Sequence, residues 1–124
     1  MRVQGQIDFT ITEQTDAQVV AEMPIVEGIK NPFGTVHAGA ILWFADVAAT
    51  VLAMGSSSAS EGMQGLALAC SLNANLLGNQ KEGTLRAASS FVKRGRSVRV
   101  VRTVVTGADG KLIADVTTSH VPST

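Results

Sequence analysis

Apolar and polar residues alternate through residues 6–12 (QIDFTIT), with Ile7, Phe9 and Ile11 on one side, the pattern of a half-buried strand. Residues 17–23 (AQVVAEM) fit either a second strand or a short turn of helix. Pro24 and Gly28 then break the chain, and Asn31-Pro32-Phe33-Gly34 reads as a turn, with Pro32 biasing Asn31 away from helix. Next comes an almost unbroken apolar run, residues 38–54 (AGAILWFADVAATVLAM), which predicts one long helix from near His37 to near Met54, ended by Gly55. Residues 55–62 (GSSSASEG) read as a flexible surface loop. Four strand-like runs follow, at 64–76, 83–93, 97–106 and 111–120. Asp109-Gly110 between the last two is a strong hairpin signal. The third run slips phase at Val100-Val101, which suggests a bulge. The fourth sets Leu112, Ala114, Val116 and Thr118 on one face. A helix apolar almost all round needs cover on most sides, and a curved antiparallel sheet can wrap it. The order of elements therefore predicts an α+β fold with the helix in the concavity of the sheet.

Composition narrows the function. The 124 residues suit a single domain, 1–124, and 45% of them are apolar, enough for a real core. Ten basic and ten acidic residues give no net charge, which argues against broad attraction to nucleic acid or an anionic membrane. One Trp, four Phe and no Tyr offer little for base stacking. The lone Cys70 excludes an intramolecular disulfide, so reducing cytoplasm is the expected compartment, and Cys70 is expected to pack as a small hydrophobe. Residues 1–6 lack the apolar run of a secretion signal. The apolar run of 17 residues is short of a membrane span, which wants roughly 20. Asp46 at its middle would cost roughly 2.5–3.5 kcal/mol there.

That same Asp46 is the chemical signal. Past the first turn of the predicted helix only Asp46 and Thr50 are polar, and four residues apart they share a face. A carboxylate in an apolar setting can serve as nucleophile or general base. Asn31, Gly34, His37 and Gly39 lie in or beside the loop entering the helix, whose first turn offers unpaired N–H groups at the positive end of the dipole. Small residues at Ala38 and Gly39 let a carbonyl approach that backbone, a plausible oxyanion site. Each feature has a plain structural alternative: Asp46 facing solvent at a gap in the sheet, Gly39 easing helix packing, His37 as a local hydrogen-bonder. Lys93, Arg94, Arg96, Arg99 and Arg102 cluster on one turn and strand. They are either a solvated face or, with Gly95 and Ser97 as further donors, a phosphate site. Two histidines, His37 and His120, and one cysteine do not make a metal set, and His120 is placed at a strand edge without a role.

The stretch Asn31-Pro32-Phe33-Gly34-Thr35-Val36-His37-Ala38-Gly39-Ala40, with Asp46 nine residues past the histidine, resembles the signature of the hotdog-fold thioesterases. More narrowly it is similar to the hydroxybenzoyl-CoA and phenylacetyl-CoA thioesterase branch. The likeness continues through residues 72–77 (LNANLL), Gly95-Arg96-Ser97 and residues 109–114 (DGKLIA). It implies a hotdog fold, a curved antiparallel sheet around one long central helix, and hydrolysis of an acyl-CoA with coenzyme A as part of the substrate and no cofactor or metal. By position, Asp46 matches the carboxylate that attacks the thioester or activates water. Asn31 matches an amide that orients water or the reacting carbonyl, and His37 a loop histidine shaping the site. Ala38, or Gly39 after it, supplies the oxyanion N–H, and Thr50 matches a hydroxyl that holds water. The resemblance also implies a homodimer, often paired into a homotetramer, with Asp46 from one subunit meeting the 31–38 loop of the other. The candidate CoA contacts are Lys93, Arg94, Gly95, Arg96, Ser97 and Asn79.

Three departures stand out. His37-Ala38-Gly39 replaces the usual His-Gly-Gly. Ala69 stands where a hydroxyl is common. Gly78-Asn79 replaces Arg-Pro, which removes a cation expected on the phosphate side. Two rival readings follow: an acyl-CoA-binding hotdog protein without turnover, and a dehydratase or hydratase of acyl thioesters, whose histidine-to-acid spacing is longer.

Overall fold

A computed structural model describes residues 1–55 and 67–122. Among the described residues two short strands, β1 (Thr10–Gln14) and β2 (Gln18–Pro24), precede one α-helix, α1 (Ala38–Met54). Four strands follow: β3 (Ala67–Leu76), β4 (Thr84–Arg94), β5 (Arg99–Thr106) and β6 (Leu112–Pro122). Every strand pairing is antiparallel, and the six form one sheet in the order β1-β2-β4-β5-β6-β3. The chain therefore runs from α1 to the far edge of the sheet before filling its centre. The helix packs along the curved sheet, touching β2 to β6, the α+β arrangement expected from the pattern. No helix among the described residues is long and apolar enough to cross a membrane.

Periodicity accounts for how α1 sits. Ala40, Ile41, Phe44, Ala45, Ala48, Ala49, Leu52 and Ala53 recur at helical spacing and form the buried stripe. Five of these eight are alanines, so the helix axis can lie close to the sheet. The cover is one-sided, however. Gly39 and Trp43 are exposed, and Asp46, Val47 and Thr50 only partly buried, along the stripe facing away from the core. Gly55 ends the helix at φ 66°, its N–H shared between Val51 and Leu52 carbonyls. The rest of the serine-rich loop expected at 55–62 lies outside the described residues.

Several expectations shift in detail. Pairing of β1 begins at Thr10, not residue 6; the preceding segment is held instead by Phe9, which stacks edge-on against Trp43 and Phe44 at 4.8 and 5.1 Å between centroids. Residues 18–24 are strand. The phase slip at Val100-Val101 comes from the neighbouring strand: β4 carries the extra residue, between Phe91 and Lys93, opposite that pair. Asp109 and Gly110 both take positive φ, 55° and 74°, as the hairpin signal required. Cys70 is exposed rather than packed, because it falls at a register break of the edge strand β3. His120 is buried at 1% exposure on the interior strand β6, where Nε2 and Thr118 Oγ1 are 2.7 Å apart.

The concave face runs out of cover toward β3. Leu72 and Leu76 pair across with Thr118 and Ala114, which are buried, yet are themselves 40% and 49% exposed.

If the helix is seated by its buried stripe, Phe44→Ala should lower unfolding free energy by about 3–5 kcal/mol. Phe33→Ala, at an 83% exposed position, should change it by no more than about 0.5 kcal/mol. Urea unfolding of both variants measures the contrast.

Candidate active site

The loop before α1 is built largely by one side chain. Asn31 Oδ1 accepts from the N–H of Phe33 (2.9 Å) and Thr35 (3.2 Å), while Nδ2 donates to Thr35 Oγ1 (2.8 Å). Backbone bonds between Asn31 and Gly34 and between Asn31 and Thr35 close the turn, and Gly34 takes φ 83° within it. The amide read from sequence as a reagent thus acts first as the frame of its own loop, with one N–H of Nδ2 left over.

The loop returns to the core through Val36, bridged to Lys30, and His37 N–H donates to Ile29 O at 2.9 Å. His37 is the N-cap of α1: its Nδ1 accepts from Ala40 N–H at 2.9 Å. That bond fixes which ring nitrogen is an acceptor, so the other carries the proton when the ring is neutral. The ring lies over Gly39, where an added Cβ would come 3.1 Å from Nδ1. The cap satisfies Ala40 and leaves Ala38 and Gly39, both exposed, with N–H groups that have no partner among the described residues. Two free donors at the positive end of a helix dipole suit a developing oxyanion. A cleft of about 370 Å³, lined by Gly28, Lys30, Asn31, Pro32 and His37 together with residues 3–5, includes the cap residue in its wall.

Asp46 stands on the less covered stripe of the helix. Its Oδ1 is buried and has no hydrogen-bond partner among the described residues; even Thr50, one turn along, does not reach it. Eight residues of helix separate Asp46 from Ala38, about 12 Å at 1.5 Å per residue. One chain therefore does not bring its own carboxylate to its own free N–H groups.

The basic cluster comes apart in the structure. Arg102 makes a two-pronged pair with Asp115 at 3.0 and 2.7 Å, a hydrogen bond that lowers the carboxyl pKa of Asp115 below its ordinary value. Arg99 donates through Nη1 to Ala53 O (2.5 Å), at the opposite end of α1 from His37. Arg94 donates to Asp16 O and sits 5.1 Å above the Phe91 ring. Gly95 N–H is taken by Val98 O. Lys93, Arg96 and Ser97 remain exposed and unpaired among the described residues. Asn79, grouped with them from sequence, is far from that turn in its contacts: its amide bonds the backbone of Val36. Nothing in the local sequence signals that bond, because 43 positions separate the two residues.

With this geometry in view, comparison with known proteins is specific. The sequence model described as Thioesterase superfamily matches residues 33–114. A 1,4-dihydroxy-2-naphthoyl-CoA hydrolase of Listeria monocytogenes is 27% identical over 113 residues, 91% of this chain and 89% of that one. A thioesterase enzyme of Staphylococcus aureus, solved as a mutant, superposes with a TM-score of 0.82 at 26% identity, covering 94% and 93% of the two chains. A hypothetical thioesterase protein of Streptococcus pneumoniae, solved with coenzyme A, gives 0.81 at 19% identity over 94% and 86%.

Removing the cap in His37→Ala should destabilise the protein by about 0.5–2 kcal/mol, while His37→Asp, which can still accept from the first turn, should recover most of it. Denaturant midpoints of the three proteins check the order.

Proposed function

The chain belongs to the thioesterase superfamily, and we propose that within it the protein hydrolyses an aryl- or medium-chain acyl-CoA to the free acid and coenzyme A. The observation that carries this is the buried Oδ1 of Asp46, without a partner among the described residues, on the stripe of α1 that its own sheet leaves open. A carboxylate oxygen so placed has no hydrogen bond to give up, so it is available to meet a substrate or a water.

In the proposed reaction the thioester carbonyl oxygen rests on the N–H of Ala38 or Gly39. Asp46 comes from a second copy of the chain. Either it attacks the carbonyl carbon, expelling the CoA thiolate and leaving a mixed anhydride that water opens, or it takes a proton from water as that water attacks. Both routes consume one water and return one thiol and one acid. Thr50 shares the face of Asp46 and holds the water. Trp43 lies on that face three residues earlier and is partly exposed, which supports an acyl group with an aromatic or extended apolar body. Lys93, Arg96 and Ser97 are the groups left to meet the phosphates of coenzyme A. The naming of the Listeria relative as a naphthoyl-CoA hydrolase and the coenzyme A in the Streptococcus structure agree with this substrate class.

A homodimer is part of the proposal. The roughly 12 Å between Asp46 and the helix N-terminus of the same chain calls for a second copy. The exposed Leu72 and Leu76 on β3, the edge strand among the described residues, give that copy an apolar surface to cover.

Thiol release from a panel of short, medium, long and aromatic acyl-CoAs tests the reading. Asp46→Ala should keep the fold and lose at least ~10²-fold in kcat on the best substrate. Near-native turnover by that variant would remove Asp46 from the chemistry. Tight binding without thiol release by the unaltered protein would make it an acyl-CoA-binding protein instead.

A further inference from the structure

The connection from β3 to β4 carries a contact that the reaction scheme does not use. Asn79 Oδ1 accepts from Val36 N–H at 3.0 Å, and Asn79 Nδ2 donates to Val36 O at 2.8 Å. One side-chain amide thus engages both backbone groups of Val36, as a neighbouring β-strand would. The same Oδ1 accepts from Gln80 N–H at 2.8 Å, so the oxygen has two donors and its plane is fixed. Val36 is buried and immediately precedes His37, the cap; Ala38, with its free N–H, follows.

Asn79 is itself held from the sheet. Gly78 N–H donates to Ile113 O, and a Cβ on Gly78 would lie 2.6 Å from Leu112 O, so only glycine lets the chain pass this close to β6. Lys111 Nζ donates to Asn79 O at 2.6 Å. Gln80 Oε1 accepts from Ala108 N–H at 3.0 Å in the β5–β6 hairpin. Gly78 and Asn79 are the two residues that replace the Arg-Pro pattern noted in the sequence. Proline has no side-chain amide with which to make this clamp.

We propose that Asn79 is a positioning residue: it fixes the backbone of Val36, and through it the angle at which the N–H groups of Ala38 and Gly39 meet the substrate carbonyl. This rests on the hydrolase reading above. Oxyanion donors act through their aim, and small misplacement of a reacting group has a large effect on rate.

The test compares Asn79→Ala and Asn79→Asp with the unaltered protein and with Asp46→Ala, all on the acyl-CoA that the unaltered protein turns over fastest. Asn79→Ala should lose about tenfold or more in kcat with KM within about twofold, the sign of an interaction expressed in the transition state. Asn79→Asp keeps the acceptor for Val36 N–H but turns a second acceptor toward Val36 O in place of the donor, so its kcat should also fall, with KM within about twofold. Amide hydrogen exchange should quicken at Val36 in Asn79→Ala. If Asn79→Ala is not recovered folded, Asn79→Asp alone must show the fall in kcat at constant KM. A raised KM with unchanged kcat would make Asn79 a CoA contact and overturn the proposal. So would a lowered melting temperature with both constants unchanged. If Asp46→Ala is inactive while the Asn79 variants retain kcat, this inference alone fails. If Asp46→Ala stays active, the hydrolase assignment of Asp46 fails first.

Discussion

An oxygen of the Asp46 carboxylate is buried with no donor among the described residues to meet it. Leaving a buried polar atom without a hydrogen-bond partner costs about 1–3 kcal/mol. The rest of the helix explains how the fold tolerates it. One stripe of α1, mostly alanine with Ile41, Phe44 and Leu52, supplies the packing against the sheet. The other stripe, from Gly39 through Trp43 and Asp46 to Thr50, stays exposed or only partly buried. The division is possible because one face of the helix carries the packing against the sheet.

The far side of the proposed reaction depends on a backbone rather than a side chain. The two free N–H groups at Ala38 and Gly39 exist because the cap is taken by His37 and satisfies Ala40 alone. Their direction depends on a loop that Asn31 ties to itself, that Lys30 bridges to Val36, and that Asn79 ties to the end of the sheet. Polar side chains around the candidate site are thus mostly spent on backbone, and the proposed reaction rests on one acid and two amides. Arg99 shows the same economy at the other end of the helix, where it meets the Ala53 carbonyl.

Local pattern carried most of the fold into view. The apolar run of 38–54 became α1 with its end at Gly55, and Asp109-Gly110 became a tight turn, because both features are decided within a few residues. The family and the thioester chemistry were legible from the loop and Asp46 together. Long-range partners were not. The spacing of Arg94, Arg99 and Arg102 suggested one phosphate site, yet each answers to a group elsewhere in the fold: Asp16, Ala53 and Asp115. Cys70 and His120 exchanged their expected environments because exposure depends on strand order, and β3 lies at the edge while β6 does not.

Whether acid and amides come from different copies can be measured by complementation. Ala38→Pro removes one N–H at the first helical position, where proline is tolerated, and His37 already has the extended backbone that precedes proline. Asp46→Ala removes the acid. Each variant alone should be nearly inactive. Unfolded together and refolded as a mixture, half of the resulting dimers would carry both variants, each with one intact site, so activity should return to about a quarter of that of the unaltered protein. No recovery from a mixture shown to contain the mixed dimer would contradict a site shared between chains.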